Sequence, residues 1–203
     1  MDESPAIGIR ERARGALRGE LADVALRLFE ERGYDQTPVD DIASAAGISP
    51  RTFYRYFGTK EEVLFGDLPP TSVDLPALLE DHLLRAGPWE ALHQTLRHVA
   101  ENIGTQRGRW SRLLRVVNTS DTLRAGHLEQ QMNLAQSLIP TLVPAVEGPA
   151  GWSDLRARVL VHAALTCFDT AFSHWAERDG DIEMLEALDI AFTTFSTLDS
   201  VQA

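Results

Sequence analysis

Apolar residues recur every three or four positions along almost the whole chain, the spacing of amphipathic helices. Leu17, Leu21, Val24, Leu28 and Phe29 share one helical face, and Gly33 follows as a left-handed stop. Val39, Ile42, Ala43 and Ala46 line a second helix. The pattern before it reads as Thr37 at the N-cap, Pro38 at the first helical position and Asp40 as a capping-box acid, with Gly47 as the stop. "SPRTFYRYFG" restarts at once: Ser49 caps, Pro50 opens, and Gly58 closes a helix of about two turns. Thr59 with Glu62 repeats the cap for a fourth helix. Residues 14–66 thus predict four helices, the second and third joined by a turn of about three residues. After "GDLPPTSVDLP" the same spacing predicts helices over 75–86, 88–105, 108–118, 122–146, 153–178 and 182–199. Pro140 and Pro144 are expected to bend or interrupt the 122–146 segment. With no sustained alternation to suggest strands, the expected fold is all-α, about nine to ten helices in two parts, 10–66 and 75–203.

Composition narrows the function. Hydrophobic residues make up 44% and charged residues 24%, ordinary for a globular protein. The single cysteine, Cys167, rules out an internal disulfide and a cysteine metal cluster and suits a reducing, cytoplasmic setting. No run reaches the ~20 apolar residues of a membrane span. There is no GxSxG, HExxH, Walker or GxGxxG sequence, and Asp169 and His174 are spaced awkwardly for one helix face. An enzyme, a metal and a cofactor are therefore not expected. The net charge of −11 argues against coating nucleic acid over the whole surface. The charge is uneven, however: residues 42–60 hold Arg51, Arg55 and Lys60 and no acid, so the remainder carries −14. Lys60 is the only lysine in the chain.

At 100° per residue Phe53 and Phe57 point to one side of the third helix, and Arg51 and Arg55 point away. Thr52 and Tyr54 flank the outward face, and Tyr56 lies nearer its edge. This is the design of a helix-turn-helix reader: arginine pairs with guanine O6 and N7, while threonine and tyrosine reach phosphates or thymine methyls. Lys60, in the first turn of the next helix, would meet a phosphate beside unpaired backbone N–H groups. Arg10, Arg12, Arg14 and Arg18 would extend the basic surface as an arm. Two alternatives are a solvated arginine face and an α-helical protein-interaction module whose aromatic and arginine residues bind a protein partner; a steep salt dependence would single out DNA.

The stretch "LADVALRLFEERGYDQTPVDDIASAAGISPRTFYRYFGTKEEVL", residues 21–64, resembles the TetR family of transcriptional regulators. The resemblance implies a bacterial, homodimeric, ligand-responsive regulator, most often a repressor, whose N-terminal helix-turn-helix (about 37–56) binds a palindromic operator in double-stranded DNA. Carried over by position, base contacts fall on Pro50, Arg51, Thr52, Tyr54 and Arg55, with Ser49 at their start, and phosphate contacts on Thr37, Tyr54, Tyr56 and Lys60. Asp40 and Asp41 stand where many members place a basic residue. The C-terminal segments "LLRVVNTSDTLRAGHLEQQ" and "LRARVLVHAALTCFDTAFSHWAERDG" look like a branch that binds acyl-CoA-like ligands, which implies release from DNA by a small hydrophobic or acyl-CoA-like effector.

For the C-terminal part, the small residues of 153–178 and the Leu185, Leu188, Phe192, Phe195 and Leu198 repeat of 182–199 suit a dimer interface of two helices from each subunit. Candidate pocket residues are Trp89, His98, Trp110, Arg112, Arg115, Asn118, Gln131, His162, Phe168 and Phe172, with His174 and Trp175 nearby in sequence. Residues 102–120 are again acid-free; Arg109, Arg112 and Arg115 form a stripe that is either a solvated face or a docking edge for an anionic ligand head.

Overall fold

The computed structural model describes residues 5–65, 73–148, 151–178 and 182–197. The described residues form ten α-helices and one 3-10 turn: α1 (Pro5–Arg32), α2 (Val39–Ala45), α3 (Pro50–Tyr56), α4 (Glu62–Phe65), α5 (Leu75–Leu83), α6 (Pro88–Gly104), α7 (Arg107–Asn118), α8 (Asp121–Leu142), α9 (Ser153–Glu177) and α10 (Met184–Thr197). The all-α expectation holds. Among the described residues, no helix is long and apolar enough to cross a membrane.

Two compact units divide the chain: Met1–Thr71 with Arg115–His127, and Ser72–Leu114 with Leu128–Ala203. By contacts, 115–127 groups with the N-terminal helices, although it lies within the 75–203 part expected from the sequence. Arg115 pairs with Glu30 of α1 at 3.5 Å, and Val116, Val117 and Leu123 are buried. Periodicity shows that a helix has an apolar face but not which unit covers it, so the division inside α7 and α8 left no mark in the sequence.

In the N-terminal unit α1 packs on α2 and α4, and α2 on α3, around Leu21, Leu26, Phe29, Ile42, Phe53 and Phe57. Helix α1 begins at Pro5, not near residue 14. Its backbone is helical through positions 10, 12, 14 and 18, so these arginines do not form an extended arm; the side chains of Arg10 and Arg12 lie outside the described residues. Alanine, glutamate and arginine are good helix formers, and lengthening an existing helix needs no new nucleus. In the C-terminal unit α10 packs on α9 and α6, and α6 on α5 and α9, burying Leu92, Leu96, Val161, Trp175, Leu188 and Phe192. Pro140 sits inside α8 without ending it. The helix stops at Leu142, and Pro144 lies in the 3-10 turn Val143–Ala145. A proline removes one intrahelical donor, and the carbonyl deprived of it belongs to Gln136, an exposed residue that water can serve.

Candidate nucleic-acid interface

The turn between α2 and α3 is built by the end of α2. Ile48 N–H donates to Ala43 C=O at 2.9 Å and Gly47 N–H to Ser44 C=O at 3.1 Å, a Schellman closure of the orphan carbonyls. That closure needs a left-handed residue, and Gly47 has φ +69°. Ser49 then caps α3 in extended conformation, its Oγ accepting from Thr52 N–H at 3.2 Å. Helix α3 ends because Phe57 turns extended, at φ −133° and ψ 130°. Gly58 is not in the left-handed region and does not supply the stop. It donates to Glu62 Oε2 at 2.6 Å, while Thr59 Oγ1 accepts from Glu62 N–H at 3.2 Å.

These closures set the rotation of α3. Phe53 and Phe57 are buried with ring centroids 5.3 Å apart. Arg51, Tyr54 and Arg55 are exposed on the other side, and Thr52 and Tyr56 are half-buried. Tyr54 keeps 53% of its surface in solvent and its ring stands edge-on to Phe53. The Arg55 guanidinium lies 5.3 Å from the Tyr56 ring centroid, close enough for cation–π attraction that limits its wandering. Arg18 fixes the far end of α3: it donates to Tyr56 C=O, covers the Phe57 ring at 4.5 Å and lies 3.8 Å from Glu62. Its anchoring role was not legible in the sequence, where it read as part of a basic arm.

Two residues expected at phosphates have partners within the protein. Thr37 is fully buried, and its hydroxyl donates to Gly33 C=O at 2.8 Å, with Leu28 C=O at 3.4 Å. It closes the end of α1, whereas the N-cap of α2 is Pro38, with no side-chain cap. Lys60 precedes α4 and turns inward. Its ammonium donates to Tyr34 C=O and sits 3.8 Å from the Tyr34 ring centroid. Burial lowers the Lys60 pKa, offset only in part by the Asp35 and Glu61 carboxylates. The Tyr34 hydroxyl donates to Glu61; burial first, and that bond second, raise its pKa. A phosphate contact from Lys60 would require it to leave this seat. Of the two acids of α2, Asp41 pairs with Arg32 at 2.8 Å.

A short exposed helix of arginine, threonine and tyrosine after a glycine turn is the geometry of a DNA reader. Residues 21–65 match the model of the family described as "Bacterial regulatory proteins, tetR family". The HTH-type transcriptional regulator TcmR of Streptomyces glaucescens is 30% identical over 202 residues, covering 96% of this chain and 87% of that one. The chain belongs to the TetR family. It is thus a DNA-binding transcriptional regulator and not an enzyme. Two solved TetR-like structures share the fold of this TetR-family protein. FadR of Thermus thermophilus, a TetR-family transcriptional repressor in complex with lauroyl-CoA, has a TM-score of 0.57 and 21% identity, covering 92% of this chain and 95% of that one. The fatty acid degradation regulator FadR of Bacillus halodurans has a TM-score of 0.59 and 19% identity, covering 95% of each chain.

In the C-terminal unit of this TetR-family chain, Trp110 and Phe172 of the expected pocket residues meet. Arg115 and Asn118 belong to the N-terminal unit. Trp89 stacks on Phe195 and lies tilted against Phe192, between α6 and α10. Trp110 is buried, edge-on to Phe172 with centroids 6.2 Å apart. His162 is exposed, and His98, Arg112, Gln131 and Phe168 are half-buried. Mixed aromatic and polar residues at helical spacing do not reveal which of their faces meet. Three arginines of the acid-free run have these partners: Arg107 donates to Arg178 C=O at 3.0 Å and covers Trp175, Arg109 lies over Trp110, and Arg115 holds Glu30. A cavity of about 380 Å³ lies instead between α9 and α10, lined by Thr166, Cys167, Thr170, His174, Ile190 and Phe195 among others. Leu155, Val159, Ile190 and Phe195 are exposed on these two helices.

Proposed function

We propose that this regulator binds a palindromic operator as a homodimer, with the two α3 helices entering successive major grooves about one helical turn apart. The observation that carries the reading is the outward face of α3, where Arg51, Tyr54 and Arg55 are exposed with no carboxylate on the helix. Base contacts are assigned to Arg51, Thr52 and Arg55 with Pro50 at their edge, and phosphate contacts to Tyr54 and Tyr56. Ser49 acts through its cap. The exposed apolar residues of α9 and α10 support dimerisation through about 153–178 and 182–197, since a second copy would cover them. A role as a cytoplasmic repressor fits this reading. The lauroyl-CoA held by the Thermus thermophilus repressor of the same fold supports a hydrophobic, acyl-CoA-like effector that releases DNA. Such an effector must bind the DNA-free state more tightly, because equal affinity for both states shifts nothing.

Selection of bound duplexes from a random pool tests the proposal. Enrichment of a two-fold symmetric motif is expected, and an enriched motif with no symmetry would contradict the dimeric reading. Adding lauroyl-CoA to the selected complex should lower DNA affinity; unchanged affinity would remove the acyl-CoA assignment.

A further inference from the structure

We propose that Thr52 reads a thymine in each half-site through its methyl group and not through its hydroxyl. The inference rests on the DNA-binding reading above. Thr52 stands in the first turn of α3, the part of a recognition helix that meets base edges. Its Oγ1 lies 2.9 Å from Ser49 Oγ, and the same Ser49 oxygen accepts from Thr52 N–H at 3.2 Å. The hydroxyl is therefore tied to the N-terminus of its own helix. β-Branching leaves Thr52 few side-chain conformations, and this bond selects among them. Besides the hydroxyl, the side chain has only its methyl to offer. Thr52 is half-buried, with exposed Arg51 and Arg55 near it on the outward arc. In the major groove thymine alone presents a methyl group, at C5, while the neighbouring arginines suit guanine O6 and N7. Burying one methyl at about 0.8 kcal/mol corresponds to roughly a fourfold change in affinity.

The test uses the duplex selected by the full-length wild-type chain, with each thymine replaced in turn by deoxyuridine, which lacks only the C5-methyl. One thymine per half-site should be found whose replacement weakens wild-type binding about fourfold. Thr52→Val, which keeps a methyl and loses the hydroxyl, should preserve that discrimination. Thr52→Ser, which keeps the hydroxyl and loses the methyl, should bind both duplexes alike. Thermal melts of both variants establish that each is folded before binding is read. The proposal is overturned if no thymine is sensitive, if Thr52→Ser keeps the discrimination, or if Thr52→Val loses it. A pool with no enriched sequence would overturn the DNA-reading proposal itself, and this inference with it.

Discussion

Thr37 and Ser49 are both hydroxyl residues standing before a proline, and the chain uses them in opposite ways. Ser49 caps the helix that follows, whereas Thr37 is buried and donates to the helix that precedes it. Their local sequences are alike. What separates them is whether the neighbouring turn leaves unpaired carbonyls within reach, and that is tertiary geometry. The same limit applies to Lys60, whose isolation in the sequence suggested a free cation while the fold supplies the Tyr34 carbonyl and ring. Because burial already disfavours the ammonium in that seat, Lys60→Met should keep fold stability within about 1 kcal/mol, the unbranched apolar chain, one atom shorter, filling most of the same space. Denaturant unfolding measures this; a loss of several kcal/mol would mean that the ammonium is a principal tie between α4 and the end of α1. By contrast, the inward Phe53 and Phe57 and the outward Arg51 and Arg55 were legible in the sequence, because a two-turn helix has only one way to bury a phenyl pair four residues apart.

Helices were the most legible level, together with those ends, at Gly47 and Ser49, whose stop and cap leave short local signatures. Gly47 adopts the left-handed conformation expected of it, and a Cβ there would meet nothing within 4 Å. Gly47→Ala should then cost about 1–2 kcal/mol of stability from backbone strain alone; an unchanged melting midpoint would show that the turn tolerates another conformation. Pairings between helices were not legible. Asp189 of α10 meets Arg97 and His93 Nε2 at 2.9 Å, both on α6. Burial raises the Asp189 pKa, but the Arg97 hydrogen bond and charge, with help from His93, outweigh it and leave the pKa lowered. A depressed carboxylate pKa contributes stability that is present above the unfolded value, about 3.9, and is lost as pH falls through the folded value. Asp189→Asn should therefore lower the melting temperature at neutral pH and narrow its gap to wild type below about pH 4. A constant gap across that range would show that the carboxylate charge contributes nothing to the α6–α10 contact.

At the scale of the whole chain, the joint read at 66–76 is the break that the sequence marks, while α7 and α8 divide between the two compact units without any break in their pattern. The ten expected pocket residues were chosen by type, and type at helical spacing does not say which faces meet. The dimer face is supported by what the fold leaves uncovered, with Ile190 at 53% and Phe195 at 42% exposure. Replacing both by glutamate should convert the proposed dimer to monomer in sedimentation experiments, because paired subunits would bring the new charges together in an apolar interface; a monomeric wild-type protein would contradict the assignment. The central claim is that the guanidinium face of α3 meets phosphate-rich duplex DNA and reads its bases. It is tested most directly by measuring affinity for the selected duplex against salt concentration, in the wild type and in Arg55→Ala. The account predicts a steep linear fall of log K with log[salt] for the wild type, and a loss of about 1–3 kcal/mol with relaxed preference at one base position for Arg55→Ala. A salt-independent affinity, or an Arg55→Ala protein that binds and discriminates like the wild type, would contradict it.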